Sequence, residues 1–159
     1  MLNETDFLQI TRKHEGILHK ICRLYRDSPE DREDLFQEII YQLWKAYPSF
    51  KGQAEISTWI YRIALNTAMA FYRKKRPAIN YVDVLPDFAN QSQDDQATER
   101  LELLYKAIKQ LNDVEKAIIT LYLDELPYQQ IAVITGITEN NVGVRINRIK
   151  TKMQQFLNQ

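Results

Sequence analysis

Between Ala78 and Gln96 the chain reads "AINYVDVLPDFANQSQDDQ", and the helical periodicity of the residues on both sides stops there. In a chain of 159 residues this break leaves two stretches, each long enough for a small domain with a modest core. The break is acidic as well, with Asp83, Asp87, Asp94 and Asp95 facing no cation of their own segment. We read 78–97 as a flexible linker between a domain at 1–77 and a second at 98–159. Hydrophobic residues make up 45% of the chain, glycines number four and prolines five, and no strand-rich stretch stands out. The expected fold is therefore all-α, in two small helical domains.

In the first domain, Phe7, Ile10, Ile17, Leu18, Ile21 and Leu24 recur at helical spacing and predict a helix over 4–26. Ser28 suits the cap of a second helix, Pro29 its first position, and Glu30, Asp31, Glu33 and Asp34 its positive end. That helix should run to about Tyr47, before Pro48. After "PSFKGQAE", Ser57 is expected to cap a third helix, "STWIYRIALNTAMAFYRKKR", which Pro77 stops. In the second domain a helix resumes near Thr98 and reaches Gln110. Asn112 with Glu115 three residues on is a capping-box pattern, opening a helix to about Asp124. Pro127 starts a short helix, Gly136 turns the chain, and Thr138 caps a long final helix.

Ala132, Gly136 and Val142, flanked by Ile131 and Ile137, have the spacing of a helix-turn-helix: a small residue at the crossing, a turn tolerant of positive φ, and an apolar anchor. On the last helix Val142, Ile146, Ile149, Met153 and Phe156 form one apolar stripe. Asn140, Val144, Asn147 and Thr151 point the other way, with Asn141, Arg145 and Arg148 along one flank. Amide and guanidinium groups pair bidentately with adenine and guanine edges in the major groove, so this face suits duplex DNA. Lys150 and Lys152 suit phosphates, which position a helix without reading sequence. A merely solvated face would carry similar residues. Gly143 weighs against that, since an interior helical glycine costs about 1 kcal/mol against alanine and often marks the close approach of another backbone.

The third helix ends in "FYRKKRP". Cations there favour the negative end of the helix dipole whatever else they do. Together with Tyr61, Arg62, Asn66, Tyr72 and Arg73 they also offer groups that stack on unpaired bases and hold a phosphate backbone. The preceding loop "SFKGQAE" is placed to form a pocket for a base taken out of the stack. Trp59 is expected in the core.

Three segments, "REDLFQEIIYQLWKAYPSF", "STWIYRIALNTAMAFYRKKR" and "LNDVEKAIITLYLDELPYQQIAVITGITENNVGVRINRIKTKMQQFL", carry a resemblance. The chain resembles the bacterial RNA polymerase sigma factors of the extracytoplasmic-function group, with regions two and four in order and a short linker between them. The resemblance implies a transcription initiation factor that binds core RNA polymerase and directs it to promoters. It implies polymerase contact at Asp34, Gln37 and Glu38, and minus-ten DNA contact at Lys51, Gln53, Glu55, Arg62, Asn66, Tyr72, Arg73, Lys74 and Lys75. Minus-thirty-five contact is implied at Asn140, Asn141, Val144, Arg145, Asn147, Arg148, Lys150 and Lys152. The implied partners are core RNA polymerase (the clamp helices of the beta-prime subunit and the beta flap), promoter DNA and an anti-sigma factor, with no small-molecule substrate and no cofactor. The chain departs from the family's pattern at Gln130, where a Glu often stands, at Ala70, where an acid often stands, and in "DELPYQQ", which replaces a glycine-containing approach to the helix-turn-helix.

Net charge is zero, with 21 basic and 21 acidic residues. Affinity for DNA rests largely on phosphate neutralisation, so a neutral chain needs a partner to hold it there. A stand-alone helix-turn-helix regulator is the alternative. It predicts tight duplex binding alone and two-fold symmetry, and no heptad seam supports the latter. An enzyme is disfavoured: His14 and His19, five apart, do not share a helix face, and no nucleophile–base pair or glycine-rich phosphate loop appears. No metal site is expected. Cys22 stands alone and no apolar run approaches a membrane span or a signal peptide, so the cytoplasm is the expected compartment, with nucleoid association in the holoenzyme.

Overall fold

A computed structural model describes residues 4–52, 54–74 and 95–158, and the chain divides into two compact units, Met1–Ile79 and Asn80–Gln159. The elements among the described residues are all helical in both, as expected. The first unit holds α1 (Glu4–Lys13), α2 (Glu15–Tyr25), α3 (Pro29–Ala46) and α4 (Ile56–Lys74), with a short 3-10 turn at Tyr47–Ser49. The second holds α5 (Asp95–Lys109), α6 (Asp113–Leu123), α7 (Tyr128–Thr135) and α8 (Glu139–Leu157).

In the first unit α2, α3 and α4 pack on one another around Leu18, Ile21, Leu35, Ile39, Leu43, Ile60 and Leu65, all fully buried. Phe7 pins α1 to this core, its ring edge-on to Trp44 at 5.0 Å and 5.3 Å from Tyr47. The single helix expected over 4–26 is two. His14 leaves helical geometry (φ −110°, ψ 18°), and its ring Nδ1–H donates to the Ile10 carbonyl at 2.9 Å, so the chain bends there. Ser28 caps α3 as expected, its hydroxyl accepting from the Asp31 amide at 3.1 Å with Pro29 in the first turn. Cys22 is a buried thiol; burial pushes it up to about 12, against the pull of the Arg26 and Arg32 charges. Ser57 is not the cap of α4, which already begins at Ile56, the Trp59 amide reaching back to the Glu55 carbonyl at 3.1 Å.

In the second unit α6, α7 and α8 pack pairwise around Ile118, Leu121, Ile131, Val142 and Ile146, and α5 lies against α8. The capping box forms in full: the Asn112 carbonyl oxygen of the side chain accepts from the Glu115 amide at 2.8 Å, and the Glu115 carboxylate accepts from the Asn112 amide at 3.1 Å. Thr138 caps α8, its hydroxyl accepting from the Asn141 amide at 3.2 Å. α5 starts at Asp95, ahead of the Thr98 expected, since Gln96 and Ala97 contain nothing that opposes a helix. The rest of the segment read as linker, and Pro77, lie outside the described residues.

The approach to α7 departs most from ordinary chain geometry. The Leu126 amide bonds the Leu121 carbonyl at 3.1 Å and the Glu125 amide the Tyr122 carbonyl at 3.0 Å, which is a Schellman closure of α6. Its left-handed position falls to Glu125 at φ 64°. Glycine usually fills that place. The next turn has one: Gly136, at φ 77°, closes α7.

Candidate functional site

Three surfaces carry the residues singled out from the sequence, on α3 and around α4 of the first unit and on α8 of the second. On the first, α3 presents Asp34 and Gln37 exposed and Glu38 half-buried, its carboxylate accepting from the Gln42 side-chain amide at 3.0 Å. Four residues separate Asp34 from Glu38, so they share a helix face. That face continues into Tyr41 and Trp44, which the sequence reading passed over. They are 56% and 45% exposed, unusual for aromatics at the rim of a small core. With Lys45, Tyr47 and Pro48 they line a cleft of about 450 Å³. The signal for them lay in the sequence: Tyr41 falls seven residues after Asp34 and three after Glu38, on the acidic face and off the Leu35–Ile39–Leu43 stripe.

The second constellation spans the loop and α4. Lys51, Glu55, Arg62 and Asn66 are exposed, Arg62 and Asn66 one turn apart on one face. Gly52 turns the loop at φ 71°. Phe50 and Trp59 meet with ring centroids 4.9 Å apart, and Trp59 lies 6.2 Å from Tyr47, so Trp59 packs on both rings but stays half-buried at the edge of the core it was expected to enter. Gln53 and Lys75 lie outside the described residues, and of Tyr72, Arg73 and Lys74 only the helical backbone of α4 is described. Tyr61 is a correction. Expected among the residues that stack on bases, it is only 2% exposed. Its hydroxyl accepts from Lys20 Nζ at 3.0 Å, and the same ammonium lies 5.5 Å from the ring centroid, tying α4 to α2.

On the second unit, α8 sends Val142, Ile146, Ile149 and Met153 into the core and leaves Asn140, Asn141, Val144, Arg145, Asn147 and Arg148 exposed. Thr151 is exposed too, its hydroxyl turned back to the Asn147 carbonyl at 3.1 Å. The two lysines are engaged within the unit. Lys150 Nζ donates to the Tyr122 hydroxyl at 2.8 Å and sits 4.4 Å from that ring's centroid. Lys152 Nζ meets Glu115 Oε2 at 2.8 Å. Burial raises the Glu115 carboxyl, but the hydrogen bonds from Lys152 and the Asn112 amide, with the charges of Lys152 and Arg145, outweigh it and hold the group below its ordinary 4.5. Gly143 does admit a close neighbour, though a side chain and not a backbone: a Cβ there would meet Tyr128 Cε2 at 3.4 Å. Among the described residues no group of His, Cys, Asp and Glu is arranged to hold a metal ion, and no helix is long and apolar enough to cross a membrane.

Comparison with known proteins gives these surfaces a family. Sigma-70 region 2 matches residues 10–78 and Sigma-70, region 4 matches residues 101–153. The ECF RNA polymerase sigma-E factor of Escherichia coli (strain K12) is 30% identical over 148 residues, covering 83% of this chain and 78% of that protein. The chain belongs to the extracytoplasmic-function RNA polymerase sigma factors. Another member, SigG of Mycobacterium tuberculosis (strain H37Rv), is 25% identical over 177 residues; the match takes in 94% of this chain but spans only about half of that relative, 48%. Among solved structures, the sigma factor RpoE in complex with the anti-sigma factor NepR from Bartonella quintana shares the fold with a TM-score of 0.76 at 20% identity, over 96% of this chain and 97% of that one. CnrH, solved with the cytosolic domain of CnrY, gives 0.71 at 20% identity, over 98% and 90%. In this sigma factor the α3 and α4 surfaces fall within region 2, and the α8 surface within region 4.

Proposed function

We propose that this chain is a transcription initiation factor that binds core RNA polymerase through α3 and directs it to promoters by two separate DNA contacts. It acts by binding, without catalysis. Asp34, Gln37 and Glu38 meet basic groups on the clamp helices of the polymerase beta-prime subunit, and Tyr41 and Trp44 extend the same face with apolar area. Lys51, Gln53, Glu55, Arg62, Asn66, Tyr72, Arg73, Lys74 and Lys75 take the minus-ten element, holding unpaired bases of one strand so that melting is stabilised by single-strand binding. The α8 face takes the minus-thirty-five element in the major groove, and the second unit meets the beta flap. A first domain at 1–77 and a second that opens with α5 at Asp95, joined by a linker over 78–94, set the reach between the two elements.

The observation that carries this reading is that α3 and α8 each keep an exposed face of chemistry their own cores do not use. On α3 it is acidic and aromatic, and on α8 it is amide and guanidinium. Lys150 and Lys152 reach phosphate only by exchanging their bonds to Tyr122 and Glu115, so their share of the DNA contact is smaller than that of Arg145 and Arg148. An anti-sigma factor is a further partner class, supported by the RpoE structure, which holds one. The setting is the cytoplasm, on the nucleoid once in holoenzyme.

The test compares wild type with the double variant Asp34→Lys, Glu38→Lys in a pull-down with core RNA polymerase and in promoter-specific transcription. Wild type should bind core and support initiation, and the charge-reversed protein should do neither. A chain that ignores core yet binds duplex DNA tightly on its own would be a stand-alone regulator, and the assignment of α3 would fall.

A further inference from the structure

The outward face of α8 holds one side chain that neither core packing nor hydrogen bonding explains. Val144 lies almost opposite the Val142–Ile146–Ile149–Met153 stripe and is 46% exposed. Around it on the face, Asn140, Asn147, Arg148 and Thr151 are all exposed and all polar. A β-branched residue loses χ1 freedom in a helix, and in the isolated unit this one gains little burial in return. Helix stability does not ask for a valine here. Asn140, four residues before it, and Asn147, three after, carry amides whose donor and acceptor match the N6 and N7 edge of adenine. Between two such contacts, the apolar group that the major groove offers to a methyl-bearing side chain is the 5-methyl of thymine.

We infer that Val144 reads the 5-methyl group of a thymine in the upstream promoter element, with Asn140 and Asn147 meeting the neighbouring base pairs. This rests on the promoter-reading function proposed above and adds the base that this helix selects at that position. The chemistry makes the selection two-sided. Uracil in the same place loses only the methyl contact. Cytosine loses the methyl contact and also sets its N4 amino group against an apolar surface, where the donor goes unpaired.

The experiment uses the full chain bound to a bacterial core RNA polymerase. Upstream elements are selected from a randomised duplex library, and each thymine of the selected element is then replaced singly by deoxyuridine. At one position the replacement should weaken wild-type holoenzyme binding about fourfold, the effect of withdrawing one buried methyl group. Holoenzyme carrying Val144→Ala should bind the thymine and uracil forms alike. Alanine is the better helix former at an exposed site, so the variant should melt no lower than wild type. Equal binding of both forms by wild type at every position, or an undiminished uracil penalty in the variant, overturns the inference and leaves promoter selection standing. A wild-type holoenzyme that selects no upstream element overturns the promoter-reading function, and the inference with it.

Discussion

Glu115 joins the cap of α6 to the side of α8. One carboxylate oxygen closes the cap of α6 on the Asn112 amide, and the other holds Lys152 of α8 at 2.8 Å. Its pKa is depressed below 4.5, so the folded state favours the charged form. The associated stability is complete above 4.5 and is lost as the pH falls through the lower folded value. Glu115→Gln keeps an acceptor for the cap but removes the charge. With Lys152 half exposed, the ion pair is worth no more than about 0.5–1 kcal/mol. Urea melts should show that deficit at pH 7 and a narrowing gap once the pH drops past 4.5; a gap that stays constant would mean the charge contributes nothing. Residue-scale chemistry divides sharply in how far the sequence revealed it. The caps at Ser28, Asn112 and Thr138 were legible because donor and acceptor lie three residues apart. The burial of Tyr61 and the engagement of Lys152 were not, because their partners, Lys20 and Glu115, lie 41 and 37 residues away. Alternation of polar and apolar residues carries no information about a polar group's distant partner.

At the scale of elements, the helix-turn-helix shows two backbone choices that pull stability in opposite directions. Glu125 occupies a left-handed position at φ 64°, where an L side chain costs roughly 1–2 kcal/mol in crowding of Cβ against the carbonyl. Glu125→Gly relieves that crowding, and the extra freedom it gives the unfolded chain offsets part of the gain. The net expectation is a stabilisation of about 1 kcal/mol, read as a higher melting temperature of the second unit. A lower one would show that the Glu125 side chain makes contacts outweighing its strain. Gly143 is the converse case, a glycine in the interior of α8 with no positive φ. Its missing Cβ would stand 3.4 Å from Tyr128 Cε2, an ordinary van der Waals distance to a ring that is 39% exposed. Gly143→Ala should therefore raise stability by up to about 1 kcal/mol, from helix propensity alone. A measured loss would mean that the Tyr128 ring cannot yield. The sequence marked both sites, one as a departure in "DELPYQQ" and one as an odd interior glycine. Neither the left-handed turn nor the tyrosine against the glycine was legible, because both depend on how α6, α7 and α8 cross. The bend at His14 was hidden for a related reason: the apolar spacing continues across it, and only the ring bond to Ile10 and the change of backbone angle reveal it.

For the whole molecule the deciding quantity is charge. The chain carries 21 basic and 21 acidic residues, and the acids are not remote from α8, the helix proposed to meet DNA, since Glu115 already neutralises Lys152. Each phosphate neutralised by a cation releases counterions and steepens the fall of affinity with salt, by a slope of roughly 0.9 per contact on duplex DNA. If α8 reads DNA as proposed, through Arg145 and Arg148 with Lys150 turned toward Tyr122, it has few such contacts to spend. The free chain should bind a promoter duplex weakly and with a shallow dependence on salt, whereas the holoenzyme should bind the same duplex far more tightly. On the proposed function, the polymerase supplies non-specific affinity and the two units of this chain supply selection at a raised effective concentration. Titrating labelled promoter duplex with free chain and with holoenzyme, from about 50 to 200 mM salt, separates the two designs. Tight binding by the free chain with a steep salt slope would place the affinity in the chain itself, as a stand-alone regulator requires. Weak, shallow binding that polymerase rescues would mean that the neutral charge balance is what keeps α8 silent on DNA until α3 has docked.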